Sequence, residues 1–141
     1  MKDRVFLDSN VIIYSLGMDK VKKEISVDLL KNSPYISVQV VNEVVNISTK
    51  KLKMTPSDAY QIGRVLINTC KTVSLTGNIV LKGFDIAEKY GFSFWDSLII
   101  AAAMENECSI LYTEDLQHNQ SIENKLTIKN PYLNMSKLVE V

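Results

Sequence analysis

The sequence predicts an α/β protein with a parallel sheet sandwiched by helices. Two features carry that expectation: short apolar runs that end in polar or turn residues, and longer stretches between them whose apolar residues recur every three or four positions. Their alternation gives the order β-α-α-β-α-α-β-α-α-β, with one further strand near the end. At 141 residues the chain is expected to form one domain spanning residues 1–141, long enough to bury a substantial core.

Residues 4–8, RVFLD, read as a buried strand meeting a turn at Asp8-Ser9-Asn10, with a helix starting near Val11. Val21, Ile25 and Leu29 lie at helical spacing in a second helix, which should end before the Asn32-Ser33-Pro34 turn. YIS, residues 35–37, is a short strand. Ser37 can cap the helix VQVVNEVVNISTKK, whose valines suit a strand but whose length favours a helix. Thr55-Pro56-Ser57-Asp58 is a strong helix start: a threonine cap, proline at the first helical position and an acid at the third. TVSL (72–75) is the next strand, and the following helix should stop at Gly91 in a left-handed C-cap. After the helix that contains Asp96 come the strand SILYT (109–113) and the segment LTIKNPY (126–132), which supplies a last strand before a short tail.

The composition narrows the function classes. With 46% hydrophobic and 23% charged residues, three prolines and five glycines, the chain is an ordinary globular protein without a disordered linker. Sixteen basic and sixteen acidic residues cancel, so a polyanion partner would have to be held locally. Lys20, Lys22 and Lys23, or Lys50, Lys51 and Lys53, are the candidates, although solvated helix ends explain both clusters as simply. Cys70 and Cys108 lack metal-type spacing and read as core residues of a reducing compartment. The polar Asp8 and Asn10 interrupt the N-terminal apolar run after Lys2 and Arg4, so that run is expected to be neither a signal peptide nor a membrane anchor. The longest apolar run, Leu98 to Met104, falls far short of the roughly 20 residues of a membrane span. A cytoplasmic protein with no membrane contact is the expectation.

The carboxylates are the informative residues. Asp96 heads the alanine-rich helix in GFSFWDSLIIAAAME, where Ser93-x-x-Asp96 fits a capping box and negative charge suits the helix dipole. Capping alone would account for it. In an open α/β sheet, however, ligands bind beyond the carboxyl ends of the strands. Asp8 ends the first strand, Asp115 follows SILYT by two residues, and the Asp96 helix is expected to begin on the same side. Glu43 shares a helix face with Val40, Val44 and Ile47, so it is an acid on an apolar stripe. Each has a bland alternative: a turn residue, the edge of an amphipathic face, a cap, a loop charge. One shared site explains all four more economically.

Crowded carboxylates repel and drive one another's protonation unless a cation neutralises them. Oxygen-only donors indicate Mg2+ or Mn2+, and one histidine with badly spaced cysteines argues against zinc. Such ions support nucleophilic water and in-line phosphoryl displacement, which is nuclease chemistry.

VFLDSNVIIY around Asp8, the interval from Ser37 to Glu43, FSFWDSLIIAAA around Asp96 and LYTEDLQHNQ around Asp115 together resemble the PIN-domain ribonucleases, most closely the toxins of VapBC-type pairs, over nearly the whole chain. The resemblance implies a PIN-like three-layer α/β/α sandwich with a small central parallel sheet. It also implies Asp8, Glu43, Asp96 and Asp115 as catalytic, metal-holding acids, with Asn10 and Thr113 supporting them. An RNA substrate, a small antitoxin protein and a homodimer follow from the same likeness, with Lys50, Lys51 and Lys53 as candidate RNA contacts. Glu114 beside Asp115 competes for the ligand position, although the T-x-D register favours Asp115. His118 reads as a hydrogen-bonded loop residue. The rival from another class is a catalytically silent PIN-like module that binds RNA or protein. A haloacid-dehalogenase-type phosphatase is weaker, because Asp8-Ser9-Asn10 lacks the second aspartate.

Overall fold

The computed structural model describes residues 3–133, and each expected apolar run becomes a strand of one sheet. The strands are β1 (Val5–Leu7), β2 (Tyr35–Ser37), β3 (Lys71–Val73), β4 (Ile110–Tyr112), β5 (Ser121–Ile122) and β6 (Leu126–Lys129). They lie in the order β3-β2-β1-β4-β6-β5. The helices are α1 (Ser9–Ser15), α2 (Lys20–Leu30), α3 (Val38–Lys50), α4 (Pro56–Thr69), α5 (Gly77–Tyr90) and α6 (Phe94–Glu105). Phe6 and Leu7 are both fully buried. Neighbouring strand residues point to opposite faces, so helices must cover both sides of the sheet.

The expected parallel sheet is present as β3-β2-β1-β4-β6, all five strands parallel. One edge strand was not expected: β5 runs antiparallel to β6, pairing Ile122 with Leu126. Glu123 and Asn124 both take positive φ (52° and 54°), and the Lys125 N–H donates to the Ile122 carbonyl at 3.0 Å, as in a type I′ hairpin turn. A two-residue strand with no Asn-Gly signature gives periodicity nothing to detect. The tail expected after the last strand lies outside the described residues.

The helix ends follow their local chemistry. Ser37, Thr55 and Ser93 cap α3, α4 and α6 through their hydroxyls, and Gly91 ends the helix α5 at φ 77°. α1 begins at Ser9 rather than near Val11, because the Asp8 carboxylate accepts the Ser9 N–H and caps it. α6 is buried on every side from Ser97 to Ala103, and α5 approaches it closely where Gly83 faces Leu98. Both cysteines are free and buried, as expected of core residues.

The chain leaves β1 for β2 and β3 on one side, and β4 and β6 lie on the other. The carboxyl ends of β1 and β4 therefore flank the point where strand order reverses, the usual place for a ligand site. The ladder continues there: the Asp8 N–H donates to the Tyr112 carbonyl and the Thr113 N–H to the Lys129 carbonyl, both at 3.0 Å.

Candidate active site

Asp8, the residue that follows β1, is only 5% exposed. One carboxylate oxygen accepts the Ser9 N–H at 2.7 Å, and the other accepts the Thr113 hydroxyl at 2.9 Å. Burial pushes its pKa from 3.8 up to about 6. The bonds from Ser9 and Thr113 oppose that rise, and the charges of Glu43 and Asp96 add to it. Both acids therefore stand close enough for Asp8 to feel them.

Asn10 organises the β4 side. Its amide N–H groups reach Thr113 Oγ1 at 3.0 Å and Asp115 Oδ2 at 3.1 Å, while its oxygen accepts the Glu114 N–H at 3.1 Å. Thr113 Oγ1 also accepts the Asp115 N–H at 3.2 Å. A single carboxamide thus ties the residues after β1 to the loop after β4. Those are the neighbours that the D-x-N and T-x-D spacings place together.

Glu43 comes from the second turn of α3. Ser9 Oγ donates to its Oε2 at 2.7 Å, and Gln39 Nε2 donates to its Oε1 at 2.9 Å. Gln39 Nε2 also donates to the Trp95 carbonyl at 3.2 Å, and among the described residues its own buried oxygen has no partner. Spending both N–H bonds on Glu43 and on the start of α6 links two of the acids through one side chain. Sequence reasoning missed Ser9 and Gln39. The available signal was slight: Ser9 lies between two site residues, and Gln39 stands four residues before Glu43 on one helix face.

Asp96 sits in the first turn of α6. Its backbone N–H donates to Ser93 Oγ at 3.1 Å, the first half of a capping box. The return bond from the carboxylate to the Ser93 N–H is not made, so capping does not occupy the Asp96 side chain.

Glu114 turns away from these acids. It takes 2.6 Å bonds from Lys22 Nζ and from the Tyr14 hydroxyl, and Lys22 lies 4.3 Å from the centre of the Tyr14 ring. Burial works against its charge, but Lys22 and Tyr14 hold the carboxyl below its ordinary range. Glu114 thereby anchors the loop that carries Asp115. Lys22 belongs to this anchor rather than to a solvated helix end. His118 Nδ1 accepts the Asn130 N–H at 3.0 Å, as expected of a hydrogen-bonded loop histidine. Lys50 and Lys51 end α3 and Lys53 follows it, all exposed, with Lys50 about 10 Å along the helix axis from Glu43.

Among the described residues, no lysine or arginine pairs with Asp8, Glu43, Asp96 or Asp115. Among these residues, neutral donors alone meet the carboxylates of Asp8, Glu43 and Asp115. The donor set, all carboxylate oxygen with hydroxyl and amide support, fits a hard divalent cation. Among the described residues no three such side chains are gathered tightly enough to grip an ion as they stand.

A model of the PIN domain matches residues 5–120. The chain belongs to the PIN-domain family. Its PIN fold also superposes on solved structures. A toxin-antitoxin complex from Klebsiella pneumoniae matches at TM-score 0.69 and 18% identity, covering 91% of this chain and 98% of the other. FitAcB from Neisseria gonorrhoeae gives 0.66 and 16%, covering 92% and 99%. VapC20 of Mycobacterium tuberculosis, described as a sarcin-ricin loop cleaving toxin, gives 0.64 and 12%, covering 79% and 89%. At these identities the likeness establishes the shared PIN fold. No curated protein matches the chain by sequence. No helix among the described residues is long and apolar enough to cross a membrane.

Proposed function

We propose that this PIN domain is a metal-dependent endoribonuclease, the toxin of a type II toxin-antitoxin pair acting in the cytoplasm. The observation that carries the reading is the set of carboxylates at the carboxyl edge of β1 and β4, supported by neutral donors and, among the described residues, paired with no lysine or arginine. Asp8, Glu43, Asp96 and Asp115 would hold Mg2+ or Mn2+. When bound, such an ion lowers the pKa of a water and offsets the charge that builds on a phosphoryl group during in-line displacement.

The protein's own residues prepare that centre. Thr113 and Ser9 fix the Asp8 carboxylate, Asn10 holds the Asp115 carboxylate, and Ser9 with Gln39 orients both oxygens of Glu43. These bonds hold the supporting side chains in place, while the acids themselves would draw closer together when an ion binds. Lys50, Lys51 and Lys53 would steer the RNA backbone from the far end of α3. The antitoxin partner rests on the likeness to toxin-antitoxin complexes, and the homodimer on the family resemblance.

The test is Asp96→Asn. Asparagine preserves the first-turn geometry, so circular dichroism and Tm should show a folded protein, while cleavage of RNA with Mg2+ should fall to background. Undiminished cleavage would remove Asp96 from the catalytic centre. A folded wild-type chain that cleaves no RNA would favour the binding-module reading.

A further inference from the structure

A cavity of about 640 Å3 opens beside the acidic centre and shares Glu43 with it. Val38, Leu75 and Trp95 supply its apolar lining, and Gln39, Asn42 and Asn46 supply amides. Its size lies within the roughly 300–1,000 Å3 usual for small-ligand sites. Trp95, the only tryptophan in the chain, is 65% exposed. Its ring is buttressed rather than loose: Phe94 meets it edge-on at 5.4 Å, and Phe94 is itself stacked on Phe84. The Trp95 carbonyl accepts the same Gln39 amide that holds Glu43, so the backbone under the indole is tied to the acidic centre.

We propose that this cavity is a subsite for an unpaired nucleobase of the RNA, stacked on Trp95 and met at its edge by the amides of Asn42 and Asn46. The inference rests on the ribonuclease reading and names the form of substrate that the site takes. Among the described residues the lining has no lysine or arginine and includes Glu43, so it suits a flat neutral group and repels a phosphate. A nucleobase offers a π face for the indole and edge donors and acceptors for the amides. A base in a duplex is already stacked and paired, so the subsite selects single strands, loops or bulges. Because Trp95 immediately precedes Asp96, a base held there leaves its own backbone beside the acids.

The single tryptophan makes the test direct. Single-stranded RNA oligonucleotides titrated into the wild-type chain in EDTA should quench its fluorescence saturably, and a fully paired duplex of the same sequence should not. Trp95→Ala should weaken single-strand binding, read by anisotropy of labelled RNA, about tenfold, with Trp95→Phe retaining most of it. With Mg2+, Trp95→Ala should raise KM and leave kcat within about twofold. If wild type cleaves RNA while neither fluorescence nor KM responds to the base or to Trp95→Ala, the subsite is wrong and the ribonuclease reading stands. If RNA quenches Trp95 but is never cleaved, the subsite stands and the ribonuclease reading fails. If RNA does not quench and Trp95→Ala changes the oligomeric state, the face lies between copies of the chain and the proposal falls.

Discussion

Asp8→Asn is expected to lower RNA cleavage at least about a hundredfold and, in the same protein, to raise stability in EDTA at pH 7. The first effect follows from losing the most buried oxygen donor of the centre. Even the partners that merely orient a metal's ligands are commonly worth about 10–100-fold, so a direct ligand should cost no less. The second effect follows from the price of that burial. A carboxyl whose pKa rises from 3.8 to about 6 on folding carries a penalty of about 3 kcal/mol when ionised. Asparagine removes the charge and still caps α1, since it ranks with aspartate at that position. Its amide meets the Thr113 hydroxyl less well, which returns about 1 kcal/mol. The net gain should be about 2 kcal/mol, a rise in Tm of roughly 5–10 °C by differential scanning calorimetry. A fall in Tm would show that the Asp8 carboxylate serves the fold more than the site.

The same linkage predicts an unusual pH profile for the wild-type chain in EDTA. Asp8 has a folded pKa above its unfolded value, so the folded state binds the proton more tightly. Its favourable contribution is fully present below 3.8 and disappears as pH rises through about 6. Tm should therefore climb as pH is lowered from 7.5 towards 5, and this climb should be missing in Asp8→Asn. Glu114 acts in the opposite sense. Its carboxyl is held below the ordinary range, so its contribution is lost as pH falls through that depressed value. Stability should peak in mildly acidic buffer and decline below it. A wild-type Tm that is flat from pH 7.5 to 5 would mean that the Asp8 charge is compensated by something other than an added cation.

Most of the scaffold was legible because it depends on local chemistry. Ser37, Thr55 and Ser93 cap helices where their spacing says they should, and Gly91 stops α5 because only glycine is unstrained at a φ of 77°. The four acids reach one sheet edge because strand ends and helix starts alternate along the chain. The rest depended on tertiary neighbours. Lys22 reads as one member of a lysine cluster until Glu114, 92 residues away, closes on it. Ser9 and Gln39 are uncharged residues whose importance appears only once Glu43 lies between them. β5 exists through pairing with β6 and has too little sequence to announce itself. Asp96 shows both levels at once: Ser93 accepts its N–H as a cap should, while its carboxylate makes no return bond to the Ser93 N–H.

Whether this centre takes a divalent cation is tested most directly by titrating Mn2+ into the metal-free chain at pH 7.5 and following Tm, beside Asp8→Asn treated identically. The expected result is a saturable rise in the wild-type Tm that is absent or strongly reduced in Asp8→Asn, because an ion that binds only the folded state stabilises it by mass action. Identical curves for the two proteins, or no rise in either, would contradict the assignment of these acids to a metal centre.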